Sequence, residues 1–326
     1  MKGKNHKILV TGGAGYIGSH IIKDLVSEKR GTVVCIDNNF NNNSNQKFNK
    51  ECEYVNGSIG NKNLLEKIFK KHKIDTVIHL AALIRVDESE KKPLLYFKNN
   101  LEDGIILLEA MREFKINKII FASSAAVYGP NSRKLSDENH LKNPSSVYGL
   151  TKILFENILR FYSQNYGVDC TIFRIFNVAG TDPSGNLKEC HKPETHLIPK
   201  TLEALNKGKP VIICGNNYDT PDGTCLRDFI HVNDVSAAFL SAIALSSDKN
   251  LFQVFNLGLG KAYSVKEVVE LCSELTGKKT KIVFTEKRAG DSAVLVSNSD
   301  KARKLLNWNP KYNLKNMIIH TIKSLS

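Results

Sequence analysis

Lys7-Ile8-Leu9-Val10 is a short apolar run that stops at a glycine-rich stretch, Thr11 to Gly18. Beyond it Ile21, Ile22, Leu25 and Val26 recur at helical spacing, and Thr32 to Ile36 forms a second apolar run ending at Asp37. Short apolar runs bounded by Gly or polar residues predict buried strands, and the three-four spacing predicts amphipathic helices. The Asn-rich stretch Asn38 to Asn49 lacks either period and reads as a loop. The alternation then resumes. Leu64 to Phe69 predicts a short helix, Asp75 to Leu80 a strand closing on Ala81-Ala82, Tyr96 to Phe114 a long helix, and Lys118 to Phe121 a strand running into Ser123-Ser124. A helix that carries Tyr148 and Lys152 in its first turns and continues to about Tyr166, and a strand over Thr171 to Arg174 ending near Phe176-Asn177, continue the series. Strand-helix alternation of this kind requires a doubly wound parallel sheet, an α/β fold.

Thr181 to Glu194 is rich in Pro, Gly and polar residues and reads as the boundary to a second part. Past it come a helix over Leu197 to Asn206, a strand over Val211 to Ile213 and a loop from Gly215 to Gly223. Arg227 to Val232 leads into a helix from about 233 to 245. Val254 to Gly258 reads as one more strand of the main sheet, and Lys281 to Phe284 as a strand of the smaller part. The expected division is therefore 1–177 plus about 228–260 for the larger domain, and about 178–227 with 261–326 for a smaller α/β substrate-binding domain.

The first glycine stretch lies between a strand and a helix, and Asp37 closes the next strand 19 residues past Gly18. That is the dinucleotide fingerprint of a Rossmann-type domain in its required context. Gly12 is expected to permit the tight turn, Gly15 the close approach of a pyrophosphate, and Gly18 close packing of helix on sheet. Amides at the helix start favour the phosphates. Asp37 suits an adenosine ribose 2′-hydroxyl and repels a 2′-phosphate, which favours NAD over NADP. In such sheets ligands sit at the carboxyl ends of the strands, where Ser123 and Ser124 fall.

Tyr148 and Lys152 stand four apart at the start of a helix, so they share a face. Of the ten tyrosines only this one has a Lys four positions on. Bringing a phenol from about 10 to about 7 takes roughly 4 kcal/mol, and one cation about 5 Å away at an effective dielectric near 20 supplies about 3 kcal/mol. With a cationic cofactor ring adding to it, the pairing makes a candidate general base.

Charge and cysteines narrow the class. The net charge of +13 invites a nucleic-acid partner, but the basic residues are scattered in pairs such as Lys70-Lys71 and Lys278-Lys279. The expectation is no nucleic-acid partner, with some of the excess attracting a diphosphate. No run of 18 apolar residues and no signal-peptide pattern occurs, so neither a membrane span nor export is expected. Seven dispersed Cys without a C-x-x-C fit reduced thiols in a cytoplasmic protein. Cys190, His191 and His196 form the one cluster at metal-ligand spacing, and no second pair completes four ligands, so no metal is expected.

The glycine spacing is G-x-x-G-x-x-G, the form found in the extended short-chain dehydrogenase/reductase superfamily. With I-D-T-V-I-H-L-A-A, F-A-S-S-A-A-V-Y-G, Y-G-L-T-K, R-I-F-N-V-A-G, E-T-H-L-I-P, R-D-F-I-H-V and R-A-G-D-S-A in order from residue 7 to about 310, the chain closely resembles the UDP-glucose (UDP-galactose) 4-epimerase family. The resemblance implies interconversion of UDP-glucose and UDP-galactose by transient C4 oxidation with bound NAD. In it Tyr148 takes the proton of the 4-hydroxyl, Ser124 bonds the same oxygen, and Lys152 bonds the nicotinamide ribose. It extends the cofactor contacts to Tyr16, Ile17, Asn38, Ser58, Ile59, Leu80, Ala81, Ala82, Asn99, Ser123 and Phe176. For the nucleotide sugar it implies Asn177 near the diphosphate, Leu197 beside uracil, Arg227 and Arg288 as phosphate clamps and Asp291 on the uridine ribose. His196, Ile212, Cys214, Val265 and Leu295 complete that expected set. A homodimer through the helices around 96–114 and 149–166 is also implied.

The chain departs from the family pattern at several positions. Ser58 stands where an Asp commonly contacts adenine, Ile84 where many members carry a Lys, and His196 in place of an Asn. Cys214 and Phe229 stand where an aromatic and a Tyr often line the uridine pocket. Leu295 takes the position at which a Tyr limits room at the sugar 2-substituent, so acetylated UDP-sugars are expected to enter as well. Other NAD-dependent enzymes of the fold remain as alternatives, namely a UDP-sugar decarboxylase, a UDP-glucuronate epimerase or a 4,6-dehydratase, as does a non-catalytic NAD-binding sensor. A dehydratase needs acids just before V-Y-G, where Ala125-Ala126 stand here.

Overall fold

Ile8 and Val10 of the first strand pack into one hydrophobic cluster and Leu9 into another, as a strand covered on both faces requires. A computed structural model describes residues 6–39, 50–130, 135–185, 187, 194–245, 251–288 and 290–325. The elements begin with β1 (Lys7–Thr11), α1 (Tyr16–Ser27), β2 (Thr32–Asp37), β3 (Cys52–Asn56), α2 (Lys62–His72), β4 (Thr76–His79), α3 (Val86–Lys91), α4 (Pro93–Phe97) and α5 (Asp103–Glu113). They continue with β5 (Lys118–Ser124), α6 (Val147–Tyr166), β6 (Asp169–Ile175), β7 (Asn177–Ala179), α7 (Leu197–Asn206), β8 (Val211–Cys214), β9 (Leu226–Arg227), β10 (Phe229–His231) and α8 (Val232–Ile243). The last are β11 (Phe252–Leu257), β12 (Tyr263–Ser264), α9 (Val265–Thr276), β13 (Ile282–Thr285), β14 (Val294–Leu295), α10 (Asp300–Leu306) and α11 (Leu314–Leu325).

Seven strands form the main sheet in the order β11-β6-β5-β4-β1-β2-β3, every neighbour pair parallel. One face is covered by α1, α8 and α10 through Ile21, Leu25, Phe239 and Leu306. The other is covered by α2, α5 and α6 through Leu65, Leu107, Met111, Phe155 and Leu159. Because β2 and β3 lie to one side of β1 and β4 to the other, the connections diverge there. A crevice opens at the carboxyl ends of β1 and β4, where doubly wound sheets bind ligands. A third core joins α7, α9 and α11 through Ile198, Leu202, Val268, Cys272, Met317 and Ile318. Around it lie the pairs β10-β7 and β13-β8 and the three-stranded sheet β12-β9-β14.

Several features depart from the sequence reading. The strand β3 was not anticipated, because at the sheet edge Glu53 and Asn56 face solvent and break the apolar run. Nor were α9, α10 and α11 anticipated. The expected helix over Tyr96 to Phe114 starts earlier, at Pro93, and is interrupted by a π-helical turn at Lys98–Glu102 before α5. One extra residue in that turn carries Asn99 to the crevice and turns Asn100 inward. Residues 40–49 of the expected loop, together with Cys190 and His191, lie outside the described residues. Among the described residues no helix is long and apolar enough to cross a membrane.

Candidate active site

The turn after β1 is built on Gly12, whose φ of +70° is strained for other residues and whose Cβ would lie 2.7 Å from the Ala81 backbone nitrogen. Gly18 is held just as closely, since a Cβ there would stand 2.4 Å from the Gly12 carbonyl oxygen. The turn therefore sits directly on the end of β4, and no side chain caps the start of α1. The Asp37 carboxylate accepts from the Ala14 amide at 3.0 Å and the Asn39 amide at 2.8 Å, which fixes it at the mouth of the turn. Burial raises its pKa, and those two amides oppose the shift.

A cleft of about 1140 Å³ runs from this turn across the carboxyl ends of β4 and β5 to the smaller part. Every cofactor residue expected from the sequence lines it: Gly12, Gly15, Tyr16, Ile17, Gly18, Asp37, Asn38, Ser58, Ile59, Leu80, Ala81, Ala82, Asn99, Ser123, Tyr148, Lys152 and Phe176. A cradle closed to a Cβ at Gly12 and Gly18, beside a fixed carboxylate and helix-start amides, fits a dinucleotide. Asn177, His196, Arg227, Arg288, Asp291 and Leu295 line the far end, as does Ser124 midway.

Four expected contacts lie off the cleft wall. Leu197 and Val265 pack against Val211 and Ile213 in a small core. Ile212 alternates outward on β8 and is 62% exposed. Cys214, the last residue of β8, hydrogen-bonds Arg288 instead. The sequence reading also passed over groups that do line the cleft, notably Arg85, Asp87 and Glu90 around α3 and Lys200 on α7. The V-D-E-S-E-K-K-P stretch carries no apolar period that would have marked α3.

The chemistry gathers at the midpoint. Lys152 is buried on α6, donates to the Ala122 carbonyl oxygen at 2.8 Å and lies 4.8 Å above the Phe121 ring. Burial pushes it down to about 7, opposed by the Glu156 carboxylate one turn on. Burial also pushes the Tyr148 phenol upward, opposed by its hydrogen bond with the Ser124 hydroxyl. The sequence predicts the ammonium lowering the phenol; the causes acting on the phenol here are burial and the Ser124 hydrogen bond. Behind the pair, Glu156 accepts from Ser123 Oγ at 2.5 Å and forms a buried ion pair with Arg174 at 2.7 Å.

At the other end Arg227 donates to Asp291 at 2.5 Å and to the Ser292 carbonyl oxygen at 2.7 Å. The two residues expected to meet phosphate and ribose separately thus hold each other in place. Asn177 Nδ2 donates to the Asp228 carbonyl oxygen at 2.7 Å, anchoring β7 beside β10.

The profile of the NAD dependent epimerase/dehydratase family matches residues 8–258. The UDP-glucose 4-epimerase of Halalkalibacterium halodurans is 41% identical over 96% of this chain and 93% of its own. The structure of the Brucella ovis UDP-glucose 4-epimerase in complex with NAD superposes with a TM-score of 0.90 at 34% identity, covering 98% of both chains. That of the Bifidobacterium longum enzyme with NAD+ and UDP superposes at 0.89 and 32% identity, covering 98% of this chain and 97% of that one. With matches of this extent, the chain belongs to the NAD dependent epimerase/dehydratase family.

Proposed function

We propose that the protein interconverts UDP-glucose and UDP-galactose by transient oxidation at C4. The observation that carries this reading is the convergence of Tyr148, Ser124 and Lys152 midway along one cleft, between a dinucleotide turn and an arginine-bearing end. Gly12, Gly15 and Gly18 would cradle the pyrophosphate, and Asp37 the adenosine ribose. Bound NAD supplies the hydride acceptor for C4 and the positive charge of its nicotinamide ring. Tyr148 takes the proton of the 4-hydroxyl and later returns it, Ser124 holds the same oxygen, and Lys152 stabilises the phenolate. Arg227 and Arg288 hold the diphosphate, with Asp291 on the uridine ribose. Ala125 and Ala126 line the cleft where a dehydratase needs acids.

The domain division read from the sequence carries over as part of this proposal with one change: the α7, α9 and α11 core forms its own cluster, but α10 packs Ala302 and Leu306 onto the main sheet and goes with the larger domain. A homodimer through α5 and α6 would cover Leu150, Phe161 and Tyr166, which are exposed on α6. A reducing cytoplasm suits the six described cysteines, which are all free.

The test is a coupled assay of the purified protein on UDP-galactose without added nicotinamide. Turnover is expected, and Tyr148→Phe should lower it by about 10²–10⁴-fold with an unchanged far-UV spectrum. Unchanged turnover in that variant, or none in an NAD-loaded wild type, overturns the reading.

A further inference from the structure

The first turn of α6, which carries Tyr148, is capped from outside its own helix. Four amides at a helix start lack helical partners, and side chains hold three of them here. Here Ser146 Oγ accepts from Gly149 N at 3.1 Å, the usual local cap. The other two are taken by α3, since Glu90 Oε1 accepts from Val147 N at 2.8 Å and Ser89 Oγ accepts from Tyr148 N at 3.1 Å. Ser89 is fully buried and donates its own hydrogen to the Val86 carbonyl oxygen at 2.7 Å, which leaves its lone pairs for the Tyr148 amide. The Tyr148 carbonyl oxygen is held too, by Thr151 Oγ1 at 2.7 Å, and Thr151 is held by Asn100 Nδ2 at 3.2 Å. Both ends of the Tyr148 residue are thus fastened by side-chain hydroxyls, one of them from a separate element.

We propose that Ser89 and Glu90 are positioning residues for Tyr148, fixing the start of α6 so that the phenol stays beside Ser124. Neither is a catalytic residue. The proposal rests on the epimerase reading for its kinetic arm, and its structural arm stands apart from that reading. An error of about 1 Å in placing a reacting group costs on the order of 10²-fold in rate. Loss of both anchors releases the turn from α3 and leaves the fold and the remote nucleotide contacts in place.

The experiment compares wild type, Glu90→Ala, Glu90→Gln and the double variant Ser89→Ala/Glu90→Ala. It measures kcat per bound NAD, KM for UDP-galactose, melting temperature and crystal structures. Glu90 is exposed, so its single variants test the idea even if the double variant does not fold. For the double variant kcat per loaded site should fall at least about tenfold with KM within about twofold, and the phenol should move away from Ser124. Glu90→Ala should show part of that loss, and Glu90→Gln, which keeps an acceptor for Val147 N, should restore it. Wild-type kcat per loaded site in Glu90→Ala and in the double variant overturns the proposal. So does a loss of kcat, KM and bound NAD in step with melting temperature, or a phenol that stays in place. A loaded wild type inert on UDP-galactose sinks the epimerase reading instead, and the phenol's position in the variant crystals then decides this one.

Discussion

The Lys152 ammonium nitrogen stands 5.9 Å from the centre of the Tyr148 ring, with Lys152 buried and Tyr148 half-buried at the cleft wall. Desolvation acts on the two in opposite senses, raising the phenol and lowering the ammonium to about 7. Each therefore favours its neutral form until another charge enters the site. At this separation and an effective dielectric near 20, a protonated Lys152 favours phenolate by about 3 kcal/mol, or roughly two pH units. Replacing Lys152 with Met should move the acid limb of the kcat profile up by about that much and lower kcat at pH 7 by about a hundredfold. A limb that stays put would mean Lys152 does not act on the phenol.

Gly18 meets backbone, which cannot rotate away. A methyl group there would sit 2.4 Å from Gly12 O and 2.7 Å from Gly13 Cα. Gly18→Ala should open the turn, reduce stability by about 1–3 kcal/mol and strip NAD from the purified protein. Retention of wild-type NAD content, read from absorbance after denaturation, would show that the turn tolerates the shift.

Leu295 lines the cleft, half-buried, and packs against the cluster of Ala125, Val127, Tyr128 and Phe176. A Tyr in its place would project further into the sugar end. Wild type is expected to turn over UDP-GalNAc as well as UDP-galactose, and Leu295→Tyr to lose the acetylated substrate at least about tenfold while keeping the other. That discrimination corresponds to roughly 1.4 kcal/mol or more at the 2-substituent. The ratio of the two turnover rates in both proteins decides it.

Acid should destabilise the fold through buried histidines. His231 accepts from Asn233 N through Nδ1 at 3.0 Å, so its hydrogen lies on Nε2 and points to His320 Nδ1, also at 3.0 Å. Burial, with His320 and His20 nearby, pushes His231 down to about 3. Below the unfolded value of about 6.5 the unfolded chain takes up a proton that the folded chain refuses, so stability falls as pH falls. The loss is about 1.4 kcal/mol per pH unit for this group, continuing to about pH 3. Urea unfolding at pH 7 and pH 5.5 should show His231→Gln losing correspondingly less between them than wild type. Equal losses would assign the acid sensitivity to other groups, His79 first among them.

Most of the main sheet was legible because its signals are local. The run from Lys7 to Val10, the turn to Gly18 and the acid at Asp37 are set by neighbours a few residues apart. The bounds of α7 and the main-sheet place of β11 follow from the same kind of signal. The smaller part was less legible. Val268, Val269 and Cys272 are buried on α9 at helical spacing, and Ser264 with Glu267 forms a capping box before them, so α9 does carry a local signal. The edge strand β3 had no such signal, because Glu53 and Asn56, two of its five residues, face water.

Periodicity, glycine stereochemistry and the four-residue spacing of Tyr148 and Lys152 follow from the chain alone, since each is a property of a few consecutive residues. The pairing of Arg227 with Asp291, 64 positions apart, and the capping of Tyr148 by Ser89, 59 positions apart, follow only from folding, because nothing local links such distant residues. The same holds for the protonation states at the centre of the site. A phenol four residues from an ammonium is written in the chain, but the direction in which each titrates depends on how much water the surrounding elements exclude.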